Sequence, residues 1–379
     1  MGRGRLDIEM DSSRRAFLAG LAGLAALPAA ARAASPIAAR APRRPVRLAA
    51  NENPFGPSPL ALAAAERSLL DAHRYPAARA HDELRASVAR RNGVPESCVL
   101  LGAGSHECIR LAAGAFAGST RRRVVLPELA FEALVRYSAP FAPATLRVPL
   151  ESDFSLPADR ILAAVGESPA LVYLANPASP TGLALAGGEV ETLARGLPEG
   201  STLLLDEAYL DFADDPKVTS GAALLAKGLP VVVTGTFSKL HGLASMRVGW
   251  ALASAENAAT MEAFRTSLGI SGPALAAAAA SLDDAAFRSR SLERIGRGRE
   301  RLRTGLEAMG LKSLPSQGNF VFFDWGKPAG ALVEALWSAE IEVPPPHPKA
   351  PTWVRVSVGT EDEIAEFLAE LARIRTAGG

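Results

Sequence analysis

The run Val231-Val-Val-Thr-Gly-Thr-Phe-Ser-Lys239 constrains the fold more than any other stretch of this 379-residue chain. Three successive β-branched residues, apolar on both faces, suit a strand covered on each side, the setting of a parallel sheet. A polar cluster, Thr234 to Lys239, follows at the carboxyl end of the run, where open α/β sheets place their ligands. Its lysine stands out by composition: the chain has six lysines against 35 arginines and none before Lys217. Arginine cannot replace a lysine that must shed its proton and bond a carbonyl carbon, because a guanidinium is too basic. A solvated lysine at a strand end would look the same in isolation, so the neighbouring segments decide.

Thr236-Phe-Ser-Lys239, with Arg247 eight residues beyond the lysine, resembles the pyridoxal-phosphate lysine segment of the fold-type I aminotransferases. More narrowly it is similar to the histidinol-phosphate aminotransferase branch, from about Leu48 to the C-terminal helix. The resemblance implies an α/β fold, with a large domain built on a mostly parallel central sheet flanked by helices and a smaller α+β domain. It also implies that Lys239 carries pyridoxal 5'-phosphate as a Schiff base, with Thr236, Ser238 and Arg247 holding the phosphate.

Other segments match the same pattern. Val99-Leu-Leu-Gly-Ala-Gly-Ser-His-Glu-Cys108 reads as a strand, a glycine turn and a helix whose apolar stripe is Ile109, Ala112, Ala113 and Phe116. Glycine, as at Gly104, lets backbone approach an anion closely, and the free N–H groups opening the helix at Ser105 and His106 make a phosphate cradle. The family writes Asp where His106 stands; the contact is largely backbone, so the cradle is expected to survive. Phe131 falls where an aromatic ring stacks on the cofactor, and Leu134 replaces a common tyrosine, which removes a polar contact near the substrate. Ser179, in Asn176-Pro-Ala-Ser-Pro-Thr-Gly182, replaces an asparagine that donates to the cofactor's ring hydroxyl and reaches less far. Asp206 ends a strand 33 residues before the lysine, placed to hold the pyridine nitrogen protonated, and Tyr209 matches the tyrosine that bonds the ring hydroxyl.

Substrate positions follow by resemblance. Leu48 to Pro59 is a proline-broken loop expected to close over substrate, with Asn53 in contact with it. Tyr75 matches a tyrosine that reaches across a homodimer to the partner's cofactor phosphate. Arg355, in the alternating strand Trp353-Val-Arg-Val-Ser357, matches the arginine that grips a substrate carboxylate. A buried arginine without a ligand would need an acidic partner. Pro344 stands where arginine is common, which argues against a phosphorylated substrate.

The N-terminus is read separately. Ser13-Arg-Arg-Ala-Phe-Leu18, an apolar segment from Ala16 to Ala31, and Ala31-Arg-Ala33 match a twin-arginine export signal with its cleavage site. The apolar segment is shorter than the roughly twenty residues a spanning helix wants. Expected organisation is a signal over 1–33, a linker and N-terminal arm with a small-domain segment over 34–75, the large cofactor domain over 76–280 and the small domain over 281–379. The processed protein is expected in the periplasm, with no membrane span.

Removing residues 1–33 leaves 36 basic against 37 acidic residues, a balance that argues against a nucleic-acid surface. Cys98 and Cys108 are expected as two buried thiols in apolar runs, and neither they nor the five histidines have metal-site spacing.

The reading is a transaminase moving an amino group between an amino acid and a 2-oxo acid. Histidinol-phosphate transamination, another reaction of the same cofactor such as decarboxylation, elimination or oxidation, and a non-catalytic binding protein are the alternatives.

Overall fold

The computed structural model describes residues 45–118, 123–265 and 269–377; the export signal and most of the linker expected before residue 45 lie outside them. The strands run in chain order as β1 (Val46–Arg47), β2 (Val99–Gly102), β3 (Arg123–Pro127), β4 (Ala144–Val148), β5 (Ala170–Ala175) and β6 (Thr202–Asp206). They continue as β7 (Val231–Thr236), β8 (Gly249–Leu252), β9 (Phe320–Asp324), β10 (Ile341–Glu342) and β11 (Trp353–Ser357). Seven of them form one sheet in the order β2-β8-β7-β6-β5-β3-β4. β8 is antiparallel to both its neighbours, and the pairings from β7 through β4 are parallel.

The two-residue period of the central strands divides their side chains between two cores. Val172, Leu174, Leu203, Leu205, Val231 and Val233 face one way and pack against Ala61, Leu84, Val88, Ile161, Leu193 and Leu275. Leu171, Tyr173, Leu204 and Val232 face the other way and meet Ile109, Ala112, Phe116, Leu134 and Met261. Helices therefore cover both faces, which is why β5, β6 and β7 read as unbroken apolar runs. Each of these leucines or valines contributes about 1.5–3 kcal/mol by leaving water, so Leu204→Ala would cost about 2–5 kcal/mol.

A further core lies on the antiparallel pair β9–β11, whose register sets Arg355 opposite Phe322. Its apolar residues come from the helices Ala285–Ala308, Gly330–Ser338 and Glu361–Ala377 (Ile295, Leu302, Leu332, Leu336, Ile364, Phe367, Leu371), joined by Val46 and Leu48. Thr360 and Glu363 bond reciprocally at the start of the last helix, as their capping-box spacing predicts. The alanine-rich helix Gly272–Asp283 and the charged helix Ala285–Ala308 are separate because the Asp284 carboxylate accepts from Phe287 N at 2.9 Å and restarts the chain.

Cys98 closes a short turn, Glu96–Cys98, set up by Pro95, instead of lying in the strand that follows. Both thiols are free; only Cys108 is buried, which pushes its thiol up, whereas Cys98 is half-buried, contrary to the expectation of two buried thiols.

Candidate active site

The carboxyl ends of β5, β6 and β7, the helix Ser105–Ala117 and β11 surround a cavity of about 360 Å³. Ser105, His106, Phe131, Ser179, Asp206, Tyr209, Thr236, Ser238, Lys239, Arg247 and Arg355, all marked in the sequence, line it.

At its floor Asp206 is buried and accepts from the Tyr173 hydroxyl at 2.9 Å, the Thr234 hydroxyl at 3.2 Å and Ala208 N at 3.2 Å. Burial pushes its carboxyl up, against the pull of those bonds and the Lys239 charge. Among the described residues no Lys, Arg or His forms an ion pair with it. A buried carboxylate without a cation is costly, and a protonated ring nitrogen would be its missing partner. The sequence assigns Tyr173 no role and marks Thr234 only as the first residue of the polar cluster. Each is a polar interruption in an apolar strand, but only the pairing register brings them to Asp206.

At the opposite wall Arg247 has left-handed backbone, with φ 56°, and donates to the Ser238 hydroxyl at 3.3 Å and Ala244 O at 2.8 Å. The Thr236 hydroxyl accepts from Ser238 N at 3.0 Å. Gly104 has φ +80°, and a Cβ there would lie 2.3 Å from Arg247 Nη2. A Cβ on Gly249 would stand 2.4 Å from Ser105 N. The two glycines thus let guanidinium and helix N-terminus share one small space, with no side-chain cap on the helix. Such a positive, N–H-rich recess suits a phosphate. This recess and the unpaired Asp206 fit the two ends of pyridoxal phosphate.

His106 shares a hydrogen bond with the Tyr137 hydroxyl at 3.0 Å and meets Phe131 edge-on at 5.1 Å. Burial first, then the charges of Arg247, Arg136 and Lys239, hold its imidazole below the ordinary range. It is therefore neutral near pH 7 and adds no charge to the recess.

Lys239, half-buried after β7, donates from Nζ to Ala50 O at 2.7 Å and stands 5.6 Å from the centre of the Tyr209 ring. Arg355 donates from Nη1 to the Ser179 hydroxyl at 2.9 Å and from Nη2 to Ala49 O, while its buried Nε has no partner. Burial lowers the basicity of this guanidinium. Among the described residues no carboxylate pairs with it, so the acidic partner that a structural arginine would need is missing.

Four sequence-marked residues lie elsewhere. Asn53 donates to Leu240 O at 2.7 Å and accepts from Phe55 N; the asparagine at the cavity wall is Asn51. Tyr75 is 84% exposed and borders a separate groove with Arg74, Ile270 and Pro273. Leu134 is buried in the sheet's helix-covered core, so its role is packing and not a substrate contact. Pro344 borders a neighbouring groove with Ala49 and Trp337.

Among the described residues no group of His, Cys, Asp and Glu is placed to hold a metal ion, and no helix is long and apolar enough to cross a membrane.

Residues 43–371 match the family model "Aminotransferase class I and II". The chain is 36% identical over 339 residues to histidinol-phosphate aminotransferase 2 of Methylococcus capsulatus, covering 88% of this chain and 91% of that protein. It is also 36% identical over 335 residues to the histidinol-phosphate aminotransferase of Roseobacter denitrificans, covering 87% and 92%. The crystal structure of histidinol-phosphate aminotransferase from Sinorhizobium meliloti in complex with pyridoxal-5'-phosphate superposes with a TM-score of 0.83 at 30% identity, covering 89% of this chain and 93% of that one.

Proposed function

The chain belongs to the class I and II aminotransferases, and from that premise we propose that it exchanges an amino group between an unphosphorylated amino acid and a 2-oxo acid. It is a transaminase, and its cofactor is pyridoxal phosphate. The observation that carries the substrate reading is Arg355: a cation with unused N–H groups and no acidic partner among the described residues faces the same cavity as Lys239. A substrate carboxylate completes it bidentately.

In this reading Thr236, Ser238, Arg247 and the N-terminus of the Ser105–Ala117 helix hold the cofactor phosphate. Asp206 holds the ring nitrogen, Phe131 the ring face, Tyr209 and Ser179 the ring oxygen, and Lys239 the carbonyl carbon. Bound pyridoxal phosphate supplies an electron sink that acidifies the hydrogen on a substrate's α-carbon. Arg355 orients the substrate so that this hydrogen faces Lys239. The freed Lys239 Nζ takes it as general base and returns it as general acid. Asp206, desolvated and fixed by three donors, keeps its charge beside the ring nitrogen without reorganising.

The names of the relatives support histidinol phosphate as the second reading. One experiment separates them: the visible absorption of the purified protein is followed while single amino donors, histidinol phosphate among them, are added. Bleaching by an unphosphorylated amino acid supports the first reading, and bleaching by histidinol phosphate alone refutes it.

Three further features belong to the proposal. A large domain over 76–280 would carry the two cores on the faces of the seven-stranded sheet, and a small one over 281–379 most of the β9–β11 core, which Val46 and Leu48 join. The protein acts as a homodimer in which Tyr75, exposed in one copy, completes the phosphate site of the other. Residues 1–33 direct export to the periplasm and are removed; Arg14→Lys with Arg15→Lys should leave the unprocessed form inside the cell, and unchanged export would refute this.

A further inference from the structure

Three consecutive residues of the N-terminal loop each hold one functional side chain. Ala49 O accepts from Arg355, Ala50 O accepts from Lys239 at 2.7 Å, and Asn51 Nδ2 donates to the Tyr209 hydroxyl at 3.0 Å. Asn51 is 1% exposed and has left-handed backbone, with φ 51°, a conformation asparagine adopts more readily than other non-glycine residues. Its N–H donates to the Ser357 hydroxyl at 2.9 Å and its carbonyl accepts from Asn319 Nδ2 at 3.0 Å.

The direction of the side-chain bonds carries the argument. The Ser357 hydroxyl, already accepting from Asn51 N, donates its one proton to Asn51 Oδ1 at 2.9 Å. That occupies the acceptor end of the amide and leaves the donor end facing Tyr209. The Tyr209 oxygen therefore accepts, so its own proton points away from Asn51, and the open side of Tyr209 is the cavity.

We propose that Asn51 is a positioning residue that fixes Tyr209 as a hydrogen-bond donor into the cavity, toward the ring oxygen of the bound cofactor. The proposal rests on the transaminase reading and goes beyond it by assigning a polarity to Tyr209 and a cause for that polarity. Asn51 shares a loop with the Arg355 and Lys239 contacts and bonds Ser357, two residues along β11 from Arg355. The same short segment thus aligns three functional groups.

The test is equilibrium binding of pyridoxal phosphate to the cofactor-stripped full chain, read by calorimetry. Asn51→Asp preserves shape and reverses polarity: the carboxylate accepts, and the Tyr209 proton turns toward it and out of the cavity. Affinity should fall about tenfold to a hundredfold, the range for one hydrogen bond to a charged group. Tyr209→Phe should cost a similar factor, and the double variant should bind no more weakly than either single one. Wild-type affinity in Asn51→Asp, or losses that multiply in the double variant, would overturn the proposal.

Ser357→Ala releases the amide and should lose affinity severalfold, again only when Tyr209 is present. It reads the same coupling if Asn51→Asp does not fold, and independence from Tyr209 overturns the proposal there too. If the wild-type chain binds no pyridoxal phosphate, the transaminase reading and this proposal fall together. If it binds and Tyr209→Phe weakens it while Asn51→Asp does not, only the role of Asn51 falls.

Discussion

Replacing Arg355 with methionine should separate stability from activity. In the free protein the guanidinium spends two N–H groups on neutral oxygens, those of Ser179 and Ala49, and among the described residues its buried Nε has no partner and no carboxylate pairs with it. Losing two bonds from a charged donor costs about 1.5–3 kcal/mol each. Relief of a desolvated, unpaired cation returns several kcal/mol, and a methionine sulfur beside the Phe320 ring, which the guanidinium now overlies at 5.7 Å, offsets part of the lost cation–π contact. The net change should lie within about 2 kcal/mol, a shift of a few degrees in Tm. Catalysis should respond differently. A substrate carboxylate loses both charge-assisted bonds, about 3–5 kcal/mol, which is two to four orders of magnitude in kcat/KM. The paired assay is a thermal melt of the cofactor-free protein and steady-state kinetics with the amino donor identified by bleaching. A fall in Tm of ten degrees or more, with kcat/KM changed less than tenfold, would show that Arg355 is a structural pillar and refute the carboxylate assignment.

Lys239→Ala should abolish turnover, with a loss above about a thousandfold since nucleophile and proton carrier vanish together; single-turnover kinetics that retain the wild-type rate would contradict this. Gly104→Ala forces a Cβ against Arg247 Nη2 at a backbone angle reserved for glycine. It should cost about 1–3 kcal/mol in a thermal melt and weaken cofactor binding at least tenfold in calorimetry. Two buried groups should pull the pH of maximum stability in opposite directions, measured as Tm from pH 4 to 8. His241 is fully buried, and burial pushes its pKa down to about 4. The unfolded chain therefore binds the proton more readily below about 6.5, and roughly 3 kcal/mol is lost as pH falls from there to about 4. Glu207 is pushed up to about 7 by burial, so the folded chain holds its proton longer and roughly 3 kcal/mol is lost as pH rises from 4.5 to 7. His241→Phe should move the optimum down and Glu207→Gln should move it up; shifts in the same direction would refute the assignment.

Much of the site was legible in residue order because its chemistry is local. Lys239 sits among hydroxyls at the end of an apolar run, Gly104 precedes an apolar helix stripe, and Asp206 closes another apolar run. Each is a strand-to-loop junction, and the two-residue and 3.6-residue periods identify such junctions without knowledge of partners. The aminotransferase resemblance then tied those junctions to one cofactor. Asn53 and Leu134 were harder to place, because a loop asparagine or a helix leucine reads alike whether it faces a ligand, a backbone carbonyl or a core.

The sequence by itself determined the alternation of strands and helices, the polar groups at the strand ends and the excess of arginine over lysine that makes Lys239 conspicuous. All of these depend on neighbours within a few positions along the chain. Only the tertiary structure decided which polar groups meet: Thr234 and Tyr173 reach Asp206 through strand register, and Arg247 reaches Gly104 across 143 positions. It also set Ala49, Ala50 and Asn51 against Arg355, Lys239 and Tyr209. The physical reason is that a hydrogen bond depends on distance and direction in space. Residue order supplies neither for groups hundreds of positions apart until the cores have packed.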